Sequence, residues 1–172
     1  MNLYKARLLG FIEYRTPAVY HAAGSLLQQI DGIQGRFLSA IGITKKVALM
    51  EFRLAPLNAR RDMGMLGLIH RTVIGEGPKQ FAKFFVRAPL PIRTHGRSAL
   101  RCHRRQLITH RKGPFLEILR NSVLGLVDVY NMLPVYIADA PTVKLFQRRL
   151  QELLVTCVWE QVGEWWNVFS TR

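Results

Sequence analysis

Apolar residues recur at helical period along most of the chain. From Ser25 to Ile41 they fall at Leu26, Leu27, Ile30, Ile33, Phe37, Leu38 and Ile41, a single stripe that predicts a helix with Ser25 as N-cap and Gly42 as its stop. Thr16 followed by Pro17 reads as a cap with Pro at the first helical position, so Pro17–Ala23 is a predicted short helix after one that begins near Leu3. Thr44–Phe52 is another. Pro56 opens a longer pattern, with Leu57, Met63, Leu66, Leu68 and Ile69 among its apolar positions, which Gly75, Gly77 and Pro78 end. Gly64 and Gly67 lie inside it, and since each costs roughly 1 kcal/mol against Ala, they predict a close helix crossing. Lys79 to Val86 reads as one last short amphipathic helix.

Ser122 to Met132 is a further predicted helix, broken by Pro134. Pro141 and Thr142 start a long one whose Val143, Phe146, Leu150, Leu153, Leu154 and Cys157 share a face. Trp159, Trp165, Trp166 and Phe169 follow; beside Val162 they read as the closing hydrophobic contact of that helix more than as a base-stacking platform. No strand pattern, internal repeat or low-complexity tract competes. The predicted fold class is all-α, with a bundle-like helical lobe over 1–86, a basic extended connection over 87–113 and a second helical segment over 114–172.

Composition supports a folded chain: 172 residues, 49% of them hydrophobic, are enough to bury a core. Lys and Arg number 25 against 11 Asp and Glu, a formal charge of +14, which favours a polyanionic partner, nucleic acid or an anionic membrane surface. No apolar stretch approaches the roughly 18 residues needed to span a bilayer. The opening MNLYKARLLGFIEYR carries no readable targeting signal: its apolar run is too short for a secretory signal and Glu13 is unusual in a transit peptide. With Cys102 and Cys157 as the two cysteines, a reducing intracellular compartment, nuclear or cytoplasmic, fits better than a disulfide framework.

The charge is not evenly spread. From Gly77 to Leu116 there is no acidic residue, while Lys79, Lys83, Arg87, Arg93, Arg97, Arg101, Arg104, Arg105, Arg111 and Lys112 supply ten cations. The remaining 15 basic and 11 acidic residues net only +4. Pro89, Pro91, Gly96, Gly113 and Pro114 punctuate this block, which reads as a connection that is mobile unless bound.

The segments IEYRTPAVYHA, LLQQIDGIQGRFLSAIGI, LAPLNARRDMGMLGLIHR and GEGPKQFAKFF resemble the region downstream of the polymerase palm in non-long-terminal-repeat (LINE-type) retrotransposon reverse transcriptases, from about residue 8 to residue 86. LRNSVLGLVDVYNMLP and PTVKLFQRRLQ resemble the tail of such reading frames. Together they cover roughly two thirds of the chain in the expected order. The resemblance implies a helical thumb or post-thumb element that grips a template-primer duplex. It also implies an absence, because that family polymerises with palm carboxylates holding two Mg²⁺ ions about 3.5 to 4 Å apart, commonly including an adjacent Asp-Asp pair. No two acidic residues are adjacent here, and Asp31, Asp62, Asp128 and Asp139 fall in helical or cap contexts. The zinc-knuckle spacing of some relatives is missing too. The chain is accordingly read as non-catalytic and without a cofactor, a truncated copy or a separately expressed remnant.

His95, Cys102, His103 and His110 raise the question of zinc, but no C-x-x-C or H-x-x-x-H pair is present, so no metal site is predicted. A Cys102 nucleophile lacks an oriented base. Arg60 and Arg61 either contact phosphate or pair locally around Asp62 in the first turn of their helix. His21 and His70 read as core-edge histidines; Tyr14 and Tyr20 read as packing before base-stacking. The candidate nucleic-acid-binding residues are therefore Arg93, Arg97, Arg101, Arg104, Arg105, Arg111 and Lys112, with Arg60 and Arg61. The expected partner is an RNA or DNA backbone, recognised without sequence preference, beside a separate polymerase palm or a ribonucleoprotein. The rival readings are a basic helical subunit of a ribonucleoprotein and a relic reading frame with no cellular function.

Overall fold

The computed structural model describes residues 1–89, 103–109 and 116–170. The fold is all-α. Among the described residues there is no strand, and the extended pairing is an isolated antiparallel bridge between Arg87 and Leu107. None of the described helices is long and apolar enough to cross a membrane.

The chain divides into two compact units, one of Met1–Gly64 with Gln151–Ser170 and one of Met65–Leu150. Residues 151–170 thus group with the N-terminal helices.

In the first unit a π-helix, Tyr4–Leu9, leads into α1 (Gly10–Tyr14) and α2 (Thr16–Val19), followed by α3 (Gly24–Ala40), α4 (Lys45–Phe52) and the start of α5 (Leu57–Val73). Tyr4, Leu9, Leu38, Ala48, Leu54 and Leu57 form its core, with Ile30, Phe37 and Phe52 packed on it. Tyr4 stacks on Phe37, ring centroids 4.3 Å apart and planes at 12°. Gly42 at φ 67° stops α3 as expected, since only a residue without Cβ enters the left-handed region at little cost. Thr44 caps α4 by accepting the Val47 N–H at 3.2 Å.

The predicted start of α3 needs correction. Ala23, not Ser25, is its N-cap, and no side chain caps it. Gly24 is already helical, which places Ser25 inside the first turn. A cap that sequence did not suggest lies further on: buried Gln34 accepts the Leu57 N–H at 2.8 Å and donates to the Ala55 carbonyl at 3.2 Å, satisfying backbone groups where α5 begins.

The second unit holds the rest of α5, a 3₁₀ turn (Lys79–Phe81), α6 (Leu116–Arg120), α7 (Leu126–Asn131), α8 (Val135–Ala138) and the start of α9 (Val143–Trp159). The predicted helix from Ser122 begins only at Leu126, because Ser122 donates to the Leu119 carbonyl at 2.7 Å and accepts the Leu124 N–H at 3.1 Å, closing a local turn instead. The predicted close approach on α5 is found at Gly67, where a Cβ would come within 2.6 Å of the Gln147 side chain on α9. Gly64 meets nothing within 4 Å. The predicted α9 face is buried at Phe146, Leu150, Leu154 and Cys157, whereas Val143 and Leu153 are half-buried. Near the C-terminus the aromatic group splits: Trp165 and Phe169 are buried, and Trp159 is exposed.

In the described part of the expected connection, residues 87–89 and 103–109, His103, Gln106 and Leu107 are buried while Arg87, Arg104 and Ile108 are exposed. Leu107 is fully buried and paired twice to the Asn131 amide, which accepts its N–H at 2.8 Å and donates to its carbonyl at 2.8 Å. Ala88 N–H to Gln106 O at 2.8 Å and Ile108 N–H to Val86 O at 2.9 Å flank the bridge.

Candidate nucleic-acid interface

The nine cations named from sequence fall into three groups. Arg93, Arg97, Arg101, Arg111 and Lys112 lie outside the described residues. Arg60 and Arg61 belong to α5 in the first unit. Arg104 and Arg105 belong to the 103–109 segment in the second.

Arg60 and Arg61 are already engaged. Arg61 forms a bidentate pair with Asp31, Nη1 to Oδ1 at 2.5 Å and Nη2 to Oδ2 at 2.9 Å, and its side chain is buried. Arg60 Nε pairs with the Glu13 carboxylate. The neighbouring Asp62 accepts the Tyr20 hydroxyl hydrogen at 2.8 Å. Three consecutive residues therefore tie α5 to earlier helices, through partners outside their own helix. The Arg61–Asp31 fork is the strong form of a charged hydrogen bond and commits both Nη groups of Arg61, whereas Arg60 engages Glu13 through Nε.

Arg104 and Arg105 are adjacent but differ. Arg104 is exposed. Arg105 is half-buried and donates Nη1 to two carbonyls, Ala138 at 2.9 Å and Ala140 at 2.8 Å, just past α8. It thereby satisfies backbone acceptors at a helix end, a structural duty beyond charge.

Beneath Arg105 lies a buried polar network that sequence did not reveal. His70, with no exposed surface, places Nε2 2.9 Å from the Ala140 carbonyl and Nδ1 3.0 Å from the Tyr130 hydroxyl. A carbonyl only accepts, so Nε2 carries the hydrogen and Nδ1 accepts from Tyr130. Burial depresses the His70 pKa to about 4, opposed by the Ala140 hydrogen bond and assisted by the Arg105 and His103 charges. His103 is likewise buried, donates Nε2 to the Tyr130 carbonyl at 2.9 Å and accepts the Arg105 N–H on Nδ1 at 3.2 Å. Burial lowers its pKa as well, against its Tyr130 hydrogen bond and the Asp139 charge. Burial pushes the Tyr130 hydroxyl up. The histidines read from sequence as part of a basic loop and a core edge are thus, at His103 and His70, neutral members of one core network. Among the described residues no three His, Cys, Asp or Glu side chains gather to hold a metal.

Comparison with protein-family models, curated proteins and solved structures finds no match.

Exposed cations in the described part of the basic block are Lys79, Lys83 and Arg104; Arg87 is exposed as well but donates Nη2 to the Val73 carbonyl at 2.9 Å. Lys83 sits over the Phe84 ring, Nζ 5.0 Å from its centroid. The bridge between Arg87 and Leu107 ties together the two chain segments that carry these residues.

Proposed function

We propose that the chain is a non-catalytic nucleic-acid-binding segment of a LINE-type reverse transcriptase reading frame, holding a phosphate backbone through its basic block without sequence preference. One observation carries the reading: ten of the 25 basic residues lie between Gly77 and Leu116, a stretch with no carboxylate to offset them. Charge spread for solubility would be interspersed with acids. Exposed Lys79, Lys83 and Arg104 keep part of that charge available to solvent. The order of the resembling segments supplies the thumb and tail assignment.

Fluorescence anisotropy on a labelled duplex at several salt concentrations tests it. If about six phosphates are neutralised, the logarithmic salt slope is near 5 and affinity falls roughly a thousandfold between 50 and 200 mM salt. Replacing Arg97, Arg101 and Arg104 with Ala lowers that slope by up to about three and weakens all sequences alike. Arg105 is left intact because it holds the Ala138 and Ala140 carbonyls. An unchanged slope puts the phosphates elsewhere, and an absence of binding at low salt removes the reading.

A further inference from the structure

The segment from Tyr4 to Val19 buries one side and leaves the other bare. Tyr4, Leu9 and Thr16 are buried, while Arg7, Phe11, Tyr14 and Arg15 are exposed. Tyr14 is the most exposed large hydrophobic side chain among the described residues at 88%, and Phe11 on the same helix is exposed at 57%. Their spacing of three puts them side by side on α1. The Arg15 guanidinium lies over the Phe11 ring, 4.2 Å from its centroid. The other tyrosine that sequence paired with Tyr14, Tyr20, is buried and bonded to Asp62. Packing therefore accounts for Tyr20 and leaves Tyr14 without a packing role.

Charge on this face has one sign. Glu13 is the only acidic residue before Asp31, and it is paired with Arg60. Two exposed aromatic rings, with Arg15 over one of them and exposed Arg7 on the preceding π-helix, complement an anionic partner that also offers flat apolar rings. An unpaired nucleic-acid base next to its phosphates has that chemistry. In a duplex the base faces are stacked on each other and closed to a side chain. An anionic lipid surface matches the charge but not the geometry: inserting Phe11 would carry the Arg15 guanidinium stacked on it toward hydrocarbon, where a charge is costly.

We propose that Tyr14 and Phe11, with Arg15 and Arg7, form a stacking site for an unpaired base of single-stranded nucleic acid. Tyr14 is the open platform, and the two guanidinium groups neutralise flanking phosphates. This rests on the nucleic-acid-binding reading above and adds a single-strand specificity that the basic block does not supply.

The test uses the full chain with a labelled oligothymidylate and a labelled blunt duplex, comparing Tyr14→Leu, which keeps an apolar side chain, with Tyr14→Phe, which keeps the ring. Tyr14→Leu weakens single-strand binding about fivefold to a hundredfold and Tyr14→Phe does not, with duplex affinity the same for all three proteins. A 2-aminopurine in the strand is quenched on binding by the parent and Tyr14→Phe, but not by Tyr14→Leu. Circular dichroism confirms folding, which substitution of so exposed a residue does not threaten. Unchanged single-strand affinity in Tyr14→Leu, with steeply salt-dependent duplex binding intact, overturns the stacking site and leaves the proposed function standing. An equal loss on strand and duplex also overturns it, and a parent protein that binds neither removes both readings. Sedimentation with phosphatidylserine vesicles is the last arm: binding lost in Tyr14→Leu while single-strand affinity is unchanged assigns the face to lipid instead.

Discussion

The ring of His70 lies flat on the ring of Phe146, centroids 4.1 Å apart and planes at 7°. This contact packs α5 on α9 within the second unit, and burial holds His70 neutral there, with both ring nitrogens hydrogen-bonded to Ala140 and Tyr130. With a folded pKa near 4 against an ordinary value of 6.5, the unfolded chain binds the proton first. Stability is therefore full above about pH 6.5 and is lost as pH falls toward 4. From pH 7 to pH 5 the loss from this residue alone is about 2 kcal/mol. Urea unfolding at the two pH values measures it. His70→Gln is less stable at neutral pH but shows a shallower pH dependence, with the residue due in part to His103. An unaltered slope in the variant would show that His70 is not the titrating group.

The two arginines that stand together at 104 and 105 separate cleanly by their effect on stability. Arg105→Ala removes the Arg105 donor from the Ala138 carbonyl and leaves Ala140 with His70 Nε2–H alone, and charged hydrogen bonds of this kind are worth about 1.5 to 3 kcal/mol. Exposed Arg104→Ala stays within about 0.5 kcal/mol of the parent. Denaturant midpoints with an unchanged m-value report the difference. Equal midpoints for the two variants would mean that Arg105 is solvated and available to phosphate.

How much of this was legible in sequence follows from the range of the interactions. The stop at Gly42 and the buried α9 face at Phe146, Leu150 and Leu154 were readable because periodicity and a left-handed glycine are local signals. Ser25 and Ser122 misled because a serine hydroxyl marks a helix start or a turn with equal ease, and neighbouring backbone geometry decides between them. The partners of Arg60, Arg61 and Arg105 were not legible: Glu13, Asp31 and the Ala138 and Ala140 carbonyls lie 47, 30, 33 and 35 residues away. A basic residue looks the same in sequence whether it awaits a phosphate or caps a helix end. The His70 and His103 network was hidden for a similar reason, since burial that neutralises a histidine comes from residues far along the chain. Tyr14 and Tyr20 show the converse, two tyrosines with one sequence context and opposite exposure.

Gly64 and Gly67 both weaken α5 as an isolated helix, but only Gly67 stands against a neighbour. Gly64→Ala has open space and recovers helix propensity, so it stabilises by up to about 1 kcal/mol. Gly67→Ala must displace the Gln147 amide, which is flexible enough to move, so its gain is smaller. Gly67→Leu exceeds what Gln147 can yield and is destabilising by about 1 to 3 kcal/mol. Thermal midpoints in the order Gly64→Ala, Gly67→Ala, Gly67→Leu check this, and a stabilising Gly67→Leu would show that α5 and α9 do not approach closely there.

Tyr4 offers the opposite experiment, a gain from removing a polar group. Its ring is stacked on Phe37 inside the first unit's core, while its hydroxyl is buried with no hydrogen-bond partner among the described residues. Burial pushes its pKa up, as expected of a phenol that would lose more by ionising away from water. An unsatisfied buried hydroxyl costs about 1 to 3 kcal/mol of desolvation that no bond returns. Tyr4→Phe keeps the stacked ring and deletes only that oxygen, so the variant is more stable than the parent, by about 1 kcal/mol once the small void is counted. Tyr4→Ala provides the contrast, losing the ring and with it about 3 to 5 kcal/mol. Urea unfolding of the three proteins decides between a purely apolar role and a hidden polar one. A Tyr4→Phe chain less stable than the parent by 1 kcal/mol or so would mean that a water or a further residue satisfies the hydroxyl, and that the N-terminal helix is anchored by that bond as well as by packing.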